Sequence, residues 1–147
     1  FAMAAAHRKW TVDVLQRSST FVRLRVIGAE LLVVDLAIDA PSALPTVVTF
    51  AGPTFDPEEL AGRKLAALFG RAAARDFTDV YFLAQRFDTA VLLARAAEVD
   101  RGFSNTVLAS MIRTLDRFTD EELPIDPAEA SALRAFFRAW ATQLETA

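Results

Sequence analysis

The chain contains no cysteine and only one histidine among its 147 residues. Without cysteine it has no disulfides, no thiolate nucleophile and no cysteine-based zinc or iron–sulfur site. The lone His7 excludes a metal site built from several histidines, and it is a poor basis for a Ser–His–Asp triad. The absence of disulfide chemistry also favours a cytoplasmic location.

Glycine and long apolar runs are scarce as well. The five glycines are scattered and form neither a P-loop nor a dinucleotide-binding loop. The longest apolar run, around residues 31–34, is interrupted by Asp35, far short of the roughly 20 residues that span a bilayer, so we expect no membrane segment. The chain starts at Phe1 instead of methionine, and we therefore expect it to be an N-terminally truncated form of a longer protein.

The pattern of the first third predicts a small antiparallel or mixed sheet over residues 11–50, approximately. Two alternating segments precede a run, Leu31-Leu32-Val33-Val34, that is apolar on both faces and therefore predicts a central strand. Three of the segments form a predicted antiparallel meander, and a fourth adds a further short strand. The segments are Thr11–Leu15, Thr20–Ile27, Glu30–Asp39 and Thr46–Phe50.

From Asp56 onward the pattern is helical. Asp56-Pro57-Glu58-Glu59 has the residues of a helix start, and we expect that helix to end near Gly70 and Asp76 to cap the next one. About five helices follow in all, two of them with apolar stripes over 107–118 and 133–144 that predict core packing. The sequence thus predicts an α+β fold with a sheet region (1–55) and a helical region (56–147) packed as one domain.

Asp35 is a candidate site residue because it lies inside the most apolar strand. If Gly28-Ala29 forms a two-residue turn, Asp35 lies opposite Val22 on an apolar face, where an unpaired carboxylate is costly. It then needs a metal, a cation or the edge of the sheet. The alternative is a solvated strand end or a pair with an arginine.

A second candidate site is the segment 64–79, where Lys64, Arg71 and Arg75 precede Asp76 and Asp79. Lys64 and Arg71 are seven residues apart, which places them on one face of a predicted helix, and a phosphate fits between them. The structural alternative is a helix pair with salt-bridged solvent faces, in which Asp76 is a cap and Asp79 a dipole partner.

The string Lys64-Leu-x-Ala-Leu-x-x-Arg71-x-x-x-Arg75-Asp76-x-x-Asp79, followed by Tyr-Phe-Leu, resembles the C-terminal signature of the AbiEii/AbiGii nucleotidyltransferase toxin family. The strand around Asp35, the Asp-Pro-Glu-Glu lead-in and the late helix around 133–137 also resemble that family. The resemblance extends over most of the chain, from about Trp10 to Leu144.

The resemblance implies a polymerase-β-like fold and a bacterial toxin–antitoxin or phage-defence role. The implied reaction is transfer of a nucleoside monophosphate from an NTP to an RNA acceptor, which is transfer RNA for some relatives. It implies Mg²⁺ as cofactor and a cognate antitoxin as partner. It also implies catalytic roles for Asp35, Lys64 and Asp79, phosphate or substrate contacts for Lys64, Arg71, Arg75 and Asp76, and metal ligation by Asp35.

The sequence departs from the family pattern at its main metal-binding motif. The Gly-Gly or Gly-Ser turn with its Asp-x-Asp pair does not occur, and Asp13 supplies a single carboxylate. We therefore expect this chain to be inactive by itself. The alternatives are a noncatalytic remnant or partner-binding module, in which an exposed sheet edge favours association and homodimers, and a plain helical scaffold. The nucleotide, the acceptor, the antitoxin and the oligomeric state do not follow from the sequence.

Overall fold

A computed structural model describes residues 2–50 and 52–146, and it confirms the α+β fold. Phe1 and Ala51, which entered the expectations for the start of the chain and the end of the sheet, lie outside the described residues. The chain forms two compact units, Phe1–Pro41 and Ser42–Ala147. The packing of residues 1–55 and 56–147 as one domain stays a prediction.

The first unit contains a short helix and a three-stranded antiparallel meander in the order β1-β2-β3. Its elements are α1 (Ala2–His7), β1 (Thr11–Arg17), β2 (Phe21–Ile27) and β3 (Leu31–Ala37). The meander is as predicted, but the position of its most apolar strand is not. In a meander of three strands the second is central, so β2 lies in the middle and β3, which holds the Leu-Leu-Val-Val run, is an edge strand.

The register of the β2–β3 hairpin differs by one residue from the sequence-based expectation. Ile27 pairs with Leu31, so the connection has three residues, and Asp35 lies opposite Arg23 and not opposite Val22. Side chains alternate between the faces of a strand, and a shift of one residue therefore moves Asp35 to the other face. Gly28 lies in this turn, and a Cβ there would lie 2.8 Å from the Trp10 ring, so the close approach of the ring requires glycine.

The second unit contains a two-stranded ribbon and the helical half of the chain. The predicted strand near residues 46–50 does not join the meander: it pairs with a short second strand to form the separate ribbon. Five helices follow, as predicted. The elements are β4 (Val47–Thr49), β5 (Gly52–Thr54), α2 (Pro57–Arg71), α3 (Ala74–Ala84), α4 (Thr89–Val99), α5 (Asn105–Arg113) and α6 (Pro127–Thr146), with 3₁₀ turns at Thr114–Arg117 and Asp120–Glu122.

The core of the second unit consists of the apolar stripes of its helices. Phe77 and Phe137 are fully buried and meet edge to face, with ring centroids 5.2 Å apart. Both predicted stripes contribute: the first supplies Leu108, Ile112 and Leu115, and the second supplies Leu133, Phe137, Trp140 and Leu144. No helix in the described part of the chain is long and apolar enough to cross a membrane.

Candidate nucleotide-binding site

The α2–α3 connection positions the charged segment 64–79. The Asp56 side chain accepts a hydrogen bond from the Glu58 N–H (2.8 Å) and starts α2, as predicted. The helix ends at Arg71, where Ala72 adopts a left-handed conformation (φ 46°) and reverses the chain. Because α3 then begins at Ala74, Asp76 occupies the third position of that helix and not the N-cap that the sequence predicted.

Asp76 is fully buried and bound by a bidentate arginine. Arg71 Nε donates to Oδ2 (2.8 Å) and Nη2 donates to Oδ1 (2.7 Å), while the Ala73 N–H donates to Oδ2 (3.0 Å). Burial by itself raises the pKa of Asp76. The bonds from Arg71 and Ala73, with the charges of Arg71 and Arg75, outweigh burial and hold that pKa below its usual value. Asp76 therefore stays ionised and fixes the Arg71 side chain.

Lys64 and Asp79 form a second ion pair between the same two helices. Lys64 Nζ lies 2.7 Å from Asp79 Oδ2, and the side chains are 39% and 37% exposed. An exposed pair of this kind contributes little to stability and leaves the ammonium group accessible from solvent. Lys64 and Arg71 thus lie on one face of α2, as the seven-residue spacing predicts, and each is bound to a carboxylate of α3.

Arg75 adds a further cation beside these pairs. It is exposed at the start of α3 and forms no ion pair within the described ranges. Its charge helps to lower the pKa of Asp76. The connection therefore carries three cations and two carboxylates, and the excess positive charge resides on an exposed guanidinium next to a helix N-terminus, an arrangement that attracts anions.

Asp35 is not free for a ligand in the first unit. Arg23 binds it through two hydrogen bonds, Nε to Oδ1 and Nη2 to Oδ2, both 2.7 Å. The hydrogen bond from Arg23, with its positive charge, lowers the pKa of Asp35. Asp13 forms the equivalent cross-strand pair with Arg25 at 2.7 Å. Asp35 therefore has an arginine partner, which is one of the alternatives that the sequence left open. Arg23 is that partner because the hairpin loop has three residues and not two.

The acidic residues present do not fit a Mg²⁺ site. Within residues 2–50 and 52–146, no three acidic or histidine side chains come together in a way that could hold a metal ion. Asp13, Asp35, Asp76 and Asp79 each accept a charged hydrogen bond from an arginine or lysine. Mg²⁺ needs oxygen ligands grouped around one point, and these four carboxylates, each paired with a cation, do not provide such a group.

Glu59 is a buried carboxylate that the sequence analysis treated only as part of a helix start. It accepts hydrogen bonds from the Ser42 hydroxyl (2.8 Å) and the Leu44 N–H (2.9 Å), and Arg63 Nη2 donates to it at 2.8 Å. The Leu44 N–H, the Ser42 hydroxyl, Arg63 and the Ala43 N–H together outweigh burial and lower its pKa to about 2. Glu59 thus attaches the segment 42–44 to α2. Its spacing of four residues from Arg63 was the available signal.

In chain order, the described residues form a small antiparallel sheet and then a helical half in which Lys64 and Arg71 pair with two aspartates. The family described as nucleotidyl transferase AbiEii toxin, type IV TA system, matches residues 12–146. The chain belongs to the AbiEii family.

Comparison with solved structures returns a similar chain in the crystal structure of JHP933 from Helicobacter pylori. The two are 20% identical in sequence with a TM-score of 0.48, and the match covers 92% of this chain. The same match covers 65% of the JHP933 chain, so the present chain spans less than two thirds of that structure. No curated protein matches the sequence.

Proposed function

We propose that this chain is the phosphate-binding part of a toxin that transfers a nucleoside monophosphate from an NTP to an RNA acceptor, transfer RNA among the candidates. Membership of the AbiEii family supports a nucleotidyltransferase in a toxin–antitoxin system. The observation that carries the assignment to this part of the molecule is the α2–α3 connection, where Lys64, Arg71 and Arg75 are held on adjoining helix segments. A cognate antitoxin and a bacterial cytoplasmic location belong to the same proposal.

The three cations have different roles in the proposed site. Arg71 is fixed by a buried carboxylate, so its guanidinium is oriented before any ligand arrives, which reduces the entropy lost on binding. Lys64 has a half-exposed partner in Asp79, and a triphosphate competes with that carboxylate for the ammonium group. Arg75 is exposed without an ion pair in the described residues and contacts phosphate first. Asp79 and Asp76 act as positioning residues for Lys64 and Arg71.

We further propose that this chain alone transfers no nucleotide. Asp35 and Asp79, the carboxylates for which the family resemblance implies catalytic roles, are both bound to cations, and Asp35 is therefore a poor metal ligand in this arrangement. Mg²⁺ would have to be held by other carboxylates in a longer chain. Transfer of labelled nucleotide to RNA by the purified 147-residue chain would contradict this part of the proposal.

A second candidate function is a noncatalytic module that binds a protein partner. The saturation of the candidate carboxylates by ion pairs favours it, as does the exposed apolar strand β3. The two functions differ in one measurable property, the binding of triphosphate at the α2–α3 connection. The phosphate-binding part of a nucleotidyltransferase binds it there, and a noncatalytic module does not.

The test is titration of the chain with each of the four NTPs and with inorganic tripolyphosphate, by calorimetry without added RNA. We expect binding that Lys64→Ala and Arg75→Ala each weaken by about tenfold, because each substitution removes a charged contact to phosphate. Arg138→Ala is the matched control for Arg75→Ala, since Arg138 is also an exposed helical arginine with no ion pair in the structure as described.

Tripolyphosphate should compete with the NTPs if the site recognises phosphate groups. Binding that Lys64→Ala and Arg75→Ala leave unchanged, or weaken no more than Arg138→Ala does, places the ligand elsewhere. No binding of any of these polyphosphates contradicts the proposal and favours the noncatalytic module.

A further inference from the structure

The outer edge of β3 has main-chain groups that no strand in the described residues satisfies. Hydrogen bonds from Gly28 N–H to the Glu30 carbonyl (3.0 Å) and from Ile38 N–H to the Thr20 carbonyl (2.8 Å) set the phase of the hairpin. Even-numbered residues of β3 therefore bond to β2, and the odd-numbered ones direct N–H and C=O away from it. The outward set is Leu31, Val33, Asp35 and Ala37.

The two edges of the sheet differ in how well they are protected from pairing with another strand. The β1 edge has a bulge between Val14 and Gln16 and ends in Arg17, and bulges and charges discourage edge pairing. The β3 edge has a regular register, no proline and no lysine, and six of its seven residues are exposed. Its single charge, Asp35, is bound to Arg23 within the same sheet.

We propose that β3 pairs antiparallel with β3 of a second copy of this chain, about a two-fold axis at Val34. The strand is self-complementary in this register: Leu31 bonds to Ala37 of the second copy, and Val33 bonds to Asp35. These pairs form about eight main-chain hydrogen bonds, more than any neighbouring antiparallel register allows. The register shifted by one pair toward the C-terminus places Asp35 against its own copy, which like charge disfavours.

The side chains support the same register. On one face of the joined sheet, Leu32 lies opposite Leu36 of the second copy and Val34 lies opposite Val34. Leu32 and Leu36 are 60% and 44% exposed in the single chain, so pairing covers apolar surface on both copies. On the other face Val33 lies opposite Asp35, and no charged side chain faces a like charge.

The experiment measures the mass of the 147-residue chain against concentration by sedimentation equilibrium, with two substitutions at one exposed position. Val33→Lys places a cation opposite Asp35 of the second copy, and we expect the dimer to be at least as stable as in the wild type. Val33→Asp places a carboxylate opposite Asp35 twice per dimer, and we expect dimerisation about tenfold weaker. Circular dichroism checks that both variants keep the wild-type fold.

The opposite responses of the two variants depend on the proposed register. A wild-type chain that stays monomeric over the whole concentration range overturns the proposal, as does a dimer that both substitutions weaken equally. A dimer that neither substitution changes shows that the copies meet elsewhere. Val33 is exposed and lies opposite Arg25 of its own sheet. If one variant alone fails to fold, the other variant and the wild type decide.

Discussion

At the scale of single residues, Asp76 and Asp79 show how burial gives different roles to two carboxylates three positions apart on one helix. Asp76 is fully buried and has three hydrogen bonds from Arg71 and Ala73, whereas Asp79 is 37% exposed beside Lys64. The first carboxylate belongs to the structure of the α2–α3 connection. The second can exchange its partner with solvent or a ligand.

The same substitution at both positions tests this difference. We expect Asp76→Asn to lower the free energy of unfolding by about 2 kcal/mol, because it leaves buried donors with a weaker acceptor beside a half-exposed arginine. Asp79→Asn should lower it by less than about 1 kcal/mol, as for other exposed pairs. Urea unfolding at neutral pH measures both. An equal loss in the free energy of unfolding for the two variants would mean that burial does not make Asp76 more important for stability than Asp79.

The residue scale also shows where sequence-based prediction stops. The one-face placement of Lys64 and Arg71 follows from helical periodicity and was predictable, but their partners depend on where α3 begins. The left-handed Ala72 moves that start three residues earlier, with Ala73 and not Asp76 at the N-cap, and left-handed alanine is uncommon enough that no local pattern indicates it. Asp35 was misplaced for a similar reason, since one extra turn residue changes its face.

At the scale of elements, helices α2 and α4 approach each other at Gly62. A Cβ at this position would lie 2.4 Å from Arg95 Cβ and 2.8 Å from the Arg95 carbonyl carbon, so the helices can be this close only because residue 62 is glycine. Arg95 is in turn fixed by Glu58 at 2.7 Å. The contact positions the helix that contains Lys64.

We expect Gly62→Ala to destabilise the chain by about 2 kcal/mol, because the added methyl group forces two packed backbones apart. Gly70→Ala is the matched control in the same helix: a Cβ there would have no atom within 4 Å beyond its chain neighbours and the backbone of its own helix, and alanine should stabilise by about 0.5 kcal/mol through helix propensity. Thermal unfolding of both variants compares them. A Gly62→Ala chain as stable as the wild type would show that the helices can separate without cost.

Strands were predicted less completely than helices at this scale. Composition and alternation indicated the meander, yet apolarity on both faces suggested a central strand where the structure has an edge. Strand order depends on long-range pairing, which the local sequence does not encode. A run that is apolar on both faces is expected for a buried central strand and equally for an edge strand that pairs with another chain. Helix positions needed only local periodicity and caps, and the predicted stripes are in the core.

At the scale of the whole molecule, burial is unevenly distributed. The main apolar cluster lies entirely in the second unit, between Ala61 and Leu144, whereas in the first unit only Ala5, Leu24 and Val26 are buried apolar residues among those described. Stability should therefore depend chiefly on contacts in residues 42–146. Glu59 is one of these contacts, because it attaches the start of the second unit to α2.

The response of the chain to acid tests the role of Glu59. Its pKa is lowered to about 2 from 4.5, so the folded state favours the ionised form and this contribution to stability is fully present above pH 4.5. This contribution is lost as the pH falls from 4.5 toward 2.

We expect Glu59→Gln to lower the melting temperature at pH 7 by about 5 °C, because an amide cannot accept all the bonds from residues 42–44 and Arg63. Between pH 4.5 and 2 the melting temperature of the wild type should fall toward that of the variant, as measured by circular dichroism. A constant difference between the two chains over this range would assign the acid sensitivity to other carboxylates.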